Sequence, residues 1–70
     1  MYSIETEEQL NGLWIAEIIE LPGVVVAYGP SEREAIANVE ALALRMMADE
    51  IYETKIAPAK ISFQFVNVAN

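Results

Sequence analysis

Two groups of residues in this 70-residue chain could do chemistry. The first is the strand carboxylates Glu5, Glu7 and Glu17. Carboxylates that converge from neighbouring strands can hold the divalent cations of a two-metal nuclease. Glu5 and Glu7 are two residues apart in an alternating segment, so they share a face and could form a weak oxygen site. The expected fourth strand brings no acidic residue to join them, and the expected helix turns an apolar face to the sheet. The second group is Ser31 with Glu34. Glutamate is a poor base for a serine nucleophile, whereas S-x-x-E before an apolar helical face is a capping box. In that box the Ser31 hydroxyl accepts the backbone N–H of Glu34, and the Glu34 carboxylate reaches back to the N–H of Ser31. The expectation is therefore a noncatalytic chain, with no catalytic residue, no metal ligand and no cofactor. The remaining acidic clusters, Glu7-Glu8, Asp49-Glu50 and Glu53, read as solvated surface.

Composition narrows the classes further. The chain has no histidine and no cysteine. That removes imidazole–serine and imidazole–thiol catalysis, disulfides, zinc ribbons and iron–sulfur sites. Eleven acidic residues against four basic ones give a net charge of −7, which disfavours phosphate binding and favours a basic protein partner. The 54% hydrophobic content marks a globular chain, and the length allows one small domain spanning residues 1–70. No apolar run reaches the ~18–20 residues of a membrane span, and the opening residues do not form a secretory signal, so a cytoplasmic location is expected.

The elements that must position these groups follow from local pattern. Tyr2 to Glu7 alternates with a period of two and reads as a strand. Asn11-Gly12 is a hairpin-type turn. Leu13 to Ile19 is too short for a typical helix and is rich in β-branched and aromatic residues, hence a second strand. Its two faces are both largely apolar, with Trp14, Ala16 and Ile18 on one and Leu13, Ile15 and Ile19 on the other. Leu21-Pro22-Gly23 is a turn by residue type, and Val24 to Tyr28 a third strand. From the Ser31 cap to about Glu53 no glycine or proline intervenes. Ala35, Ile36, Val39, Leu42, Ala43, Met46, Met47 and Ile51 recur at spacings of three and four, which marks one helix face with Met46 in the core. Such a helix is longer than any strand here, so it must overhang the sheet or break before Tyr52. Ile61 to Phe65 alternates again as a fourth strand, and Val66 and Val68 fall out of step, which predicts a bulge or an early end.

The pattern is β-β-β-α-β, an α+β domain with a four-stranded, mostly antiparallel sheet and one long helix on one face. The crossover rule sets the last strand parallel to the third. One helix covers one face only, so the two-sided apolar second strand implies exposed apolar surface and hence self-association or a protein partner. The residues expected to form that contact surface are Trp14, Ile18, Leu21, Tyr28, Phe63 and Phe65. Trp14 has two readings, as an interface anchor and as packing against the helix.

Several of these residues form a set. Gly12-Leu13-Trp14-Ile15-Ala16, the strand ending in Leu21-Pro22-Gly23, and Gly29-Pro30-Ser31 followed by Glu34-Ala35 and the long helix resemble the HicB-like antitoxin family, over Tyr2 to about Val66. The resemblance implies a partial RNase H-like fold with sheet order 3-2-1-4. It also implies a partner: a small basic HicA-like ribonuclease toxin, whose active site the antitoxin covers. Full-length family members usually carry a C-terminal DNA-binding domain. This chain ends after the fourth strand, so direct operator binding is not expected. The alternative is a stand-alone HicB-like domain, self-assembling or ligand-sensing, without a toxin. A homodimer or higher oligomer is expected under both.

Overall fold

The computed structural model describes residues 1–21, 25–58 and 60–66. The elements are β1 (Tyr2–Glu8), β2 (Trp14–Ile18), β3 (Val25–Gly29), α1 (Glu32–Thr54) and β4 (Phe63–Val66). They form one four-stranded mixed sheet in the order β3-β2-β1-β4. β1 pairs antiparallel with β2, β2 antiparallel with β3, and β4 parallel with β1. The α+β class and the parallel run of β4 with β3 are those expected from the sequence pattern, and the strand order is the one the resemblance implies. β4 begins at Phe63, two residues later than the alternation suggested, and Val66 continues it in register with Glu5 where a bulge or early end was expected. The expected Leu21-Pro22-Gly23 turn and Val68 fall outside the described residues, apart from Leu21.

The β1–β2 hairpin closes through Gln9–Leu13. The Gln9 N–H donates to the Leu13 carbonyl at 2.7 Å, and the Asn11 carboxamide accepts from the Leu13 N–H at 3.1 Å. Gly12 takes φ 85, a left-handed conformation that a side chain would resist.

Ser31, at φ −141 and ψ 162, caps α1 by accepting the Glu34 N–H at 3.2 Å. The expected reciprocal bond is corrected in one respect. The Glu34 carboxylate accepts from the Ser31 hydroxyl at 3.0 Å, not from the Ser31 backbone N–H. The first-turn carboxylates Glu32 and Glu34 face the positive end of the helix dipole. At the other end Lys55 adopts the left-handed conformation (φ 61, ψ 23), and its N–H returns to the Ile51 carbonyl at 2.7 Å.

The core is one cluster, in which Ile4, Ala16, Ile18 and Val25 of the sheet meet Ala35, Val39, Ala43 and Met47 of the helix. The buried helix positions lie four apart, and two of the four are alanines, so the helix axis comes close to the sheet. Close approach also explains Gly29. A Cβ there would lie 2.6 Å from the Ala35 backbone nitrogen and 2.9 Å from the Glu34 carbonyl carbon. Met46 is a second correction: it is 42% exposed, and Met47 takes the core position.

The helix is 23 residues long, or about 34 Å, against about 23 Å for the longest strand. It runs unbroken through Tyr52 and overhangs the sheet, and the long dimension of the molecule is 42 Å. It lies mainly over β3, then β2, and reaches β1, while its backbone stays away from β4.

Candidate protein-binding face

Strand register assigns each side chain to a face. Tyr2, Ile4, Thr6, Trp14, Ala16, Ile18, Val25, Ala27, Phe63 and Phe65 stand on the helix side. Ser3, Glu5, Glu7, Ile15, Glu17, Val26, Tyr28, Gln64 and Val66 stand on the open side. Ser3 and Gln64 are cross-strand neighbours there, and the Gln64 amide donates to the Ser3 hydroxyl at 3.0 Å.

The open face has two halves. Toward β3, Ile15 is directly opposite Tyr28, beside the half-buried Val26, and Tyr28 is 57% exposed. Toward β1, Glu5 is directly opposite Glu17, and Glu7 is the next residue on that face. Like charges directly opposed across a strand pair destabilise it. No basic side chain stands nearby in sequence: all four, Arg33, Arg45, Lys55 and Lys60, follow the three-strand meander. Among the described residues, no group of three or more His, Cys, Asp or Glu side chains is placed to hold a metal ion. Glu5, Glu7 and Glu17 thus make an acidic strip alongside an apolar one.

The structure divides the six residues expected at a contact surface. Tyr28 alone stands on the open face. Ile18 is 1% exposed at the centre of the core, so it cannot contribute a contact, because its pairing with Ile4 and Val25 places it beneath the helix. Trp14, Leu21 and Phe63 pack partly buried against that core, and the Phe63 ring lies 5.9 Å from Tyr2. Phe65 is on the helix side but 67% exposed, because the helix stops short of β4. Ile15 and Val26 are open-face residues that sequence reasoning did not single out. Their signal was present in the alternation of β2 and β3, but alternation alone does not say which face a helix covers.

Two polar contacts hold the margins. The Thr6 hydroxyl donates to the Glu32 carboxylate at 2.6 Å, tying β1 to the first turn of the helix. The Glu20 carboxylate accepts the Ser3 N–H at 2.8 Å, extending the β1–β2 ladder beyond the end of β2. That backbone donor, followed by the Ser3 hydroxyl, holds the Glu20 carboxyl below its ordinary pKa.

Compared with protein-family models, curated proteins and solved structures, the chain finds no match. Among the described residues no helix is long and apolar enough to cross a membrane.

Proposed function

We propose that this chain is a noncatalytic, HicB-like binding module of partial RNase H-like fold. In this reading it acts in the cytoplasm and neutralises a small basic ribonuclease by covering its active cleft with the open sheet face. The observation that carries the reading is the directly opposed Glu5–Glu17 pair, with Glu7 beside it. A cationic partner would relieve that repulsion, so the face gains more from a basic protein than an ordinary acidic surface would. The adjoining Ile15, Val26 and Tyr28 offer the apolar and aromatic contact that anchors such interfaces. The net charge of −7 would speed encounter with a cationic enzyme.

The test is calorimetric titration of the chain into a small basic ribonuclease encoded beside its gene, with RNA cleavage followed in parallel. The expected outcome is binding that weakens as salt rises, together with loss of cleavage. Glu17→Lys should fold, since it removes a like-charge pair at an exposed site, and should weaken binding at least tenfold. Absence of binding at low salt, or a Glu17→Lys chain that inhibits as well as the parent, would sink the reading. A gene neighbourhood without such a ribonuclease favours the stand-alone domain.

A further inference from the structure

We propose that β4 is a self-pairing edge: β4 of a second copy joins it antiparallel about Gln64, and the two sheets become one of eight strands. The inference uses the opposite side and edge of the sheet from the binding face and stands apart from that reading.

The backbone pattern comes first. The Tyr2 N–H donates to the Ser62 carbonyl at 2.9 Å, so in the parallel β1–β4 ladder residues 62, 64 and 66 turn their peptide groups to β1. The intervening Phe63 and Phe65 turn theirs outward. Among the described residues β4 is the end of the sheet, and nothing pairs with that outer edge.

The side chains agree with the backbone. About a two-fold axis at Gln64, Phe63 falls opposite the partner's Phe65, and Phe65 opposite the partner's Phe63. These are the residues with outward peptide groups, so each pair exchanges two hydrogen bonds and sets two aromatic rings side by side. The rings stand on the helix side, where the helix backbone stays away from β4 and where Ile4, Thr6, Glu32, Ile36, Phe65 and Val66 line a groove, its one carboxylate, Glu32, held by the Thr6 hydroxyl. The 67% exposed Phe65 ring would there gain an aromatic neighbour.

Charge identifies the occupant as another copy. Two chains of net charge −7 repel, so a self-contact needs a neutral strip. Of the two outer strands, neither β3 nor Phe63–Val66 carries a charge, but the Tyr28 carbonyl of β3 is already taken by the Asn38 carboxamide, which leaves β4 as the free neutral edge. The sequence Phe63-Gln64-Phe65 is also its own complement when reversed, which a foreign strand need not be.

The register makes a covalent test possible. Gln64 faces its own copy in a non-hydrogen-bonded pair, with Cα atoms about 4.5 Å apart, within disulfide range. The natural chain has no cysteine, so Gln64→Cys introduces a single thiol. In a glutathione buffer it should form a disulfide dimer at least tenfold faster than Asn11→Cys, placed in the exposed β1–β2 turn. Sedimentation of the unmodified chain should show a dimer. A synthetic chain N-methylated at Phe65 loses the outward N–H, keeps the β1–β4 bonds, and should sediment as a monomer. Three outcomes would overturn the proposal: a monomeric parent chain at about 100 μM, equal cross-linking of the two cysteine variants, or a dimer that survives N-methylation. An edge that takes only foreign peptides would give the first of these.

Discussion

β3 and β4 are the two outer strands of one sheet, yet α1 treats them differently. Over β3 the helix packs closely enough to require Gly29, and the Asn38 carboxamide donates to the Tyr28 carbonyl at 2.8 Å on that strand's outer side. The helix backbone does not approach β4, and Phe65 there is 67% exposed. A sheet edge is a row of unpaired peptide groups, and natural proteins blunt such rows with cover, charge or proline. β3 has cover. β4, Phe-Gln-Phe-Val, has none of these devices among its described residues. The difference shows that a single helix placed off-centre can close one edge only by leaving the other open.

The largest effect should come from breaking the closed edge. Gly29→Ala sets a Cβ against backbone atoms of Glu34 and Ala35, which cannot move without shifting the helix. We expect a loss of about 2 kcal/mol, read as a lower urea midpoint at unchanged slope. An unchanged midpoint would mean the helix can lift from β3 at little cost.

A smaller effect sharpens the same comparison. Asn38→Ala removes the amide that satisfies the Tyr28 carbonyl and should cost about 1 kcal/mol. It should also loosen the β3 edge, seen as faster hydrogen exchange at β3 amides with β4 amides unchanged. Equal acceleration in both strands would show that the two edges are not independent.

The smallest effect concerns the ladder between the two edges. Glu20 is held below its ordinary pKa by the Ser3 N–H and then its hydroxyl, so its carboxylate favours the folded state. A depressed carboxyl contributes stability that is present above its unfolded pKa and is lost as pH falls through the folded value. The parent chain should therefore lose stability on acidification more steeply than Glu20→Gln, whose amide oxygen still accepts from Ser3 at every pH. The site is exposed, so the gap should be small. Parallel pH profiles of the two chains would assign acid sensitivity elsewhere.

Much of this arrangement is readable from residue types. The strands and the helix follow from periodicity, and their ends fall within about two residues of the sequence boundaries because Gly12, Pro30-Ser31 and Pro58 punctuate the chain. What periodicity does not carry is depth. Met46 and Met47 both lie at helical spacing from the core residues, and only the four-residue ridge from Ala35 to Met47 shows which is buried. Ile18 and Phe65 share the helix side of the sheet, yet one is sealed and the other open, because the lateral position of the helix is set by Gly29 and the alanines. On the open face, the acidic strip needs register. Glu5 and Glu17 are twelve residues apart and become opposed only when the hairpin closes at Gln9–Leu13.

The parallel pairing of Tyr2–Glu5 with Phe63–Val66 also sets an order in time. A ribosome releases β1 first and β4 last of the four strands. Throughout that interval, while β2, β3 and the helix emerge, the outer flank of β1 has no native neighbour. It is β1 that bears Glu5, Glu7 and Glu8, charges of the kind that deter stray strand addition. β4 reaches a waiting neighbour as soon as it is made, and it carries no charge at all. The charge on the first strand and its absence from the last thus match the order in which the two become available to pair.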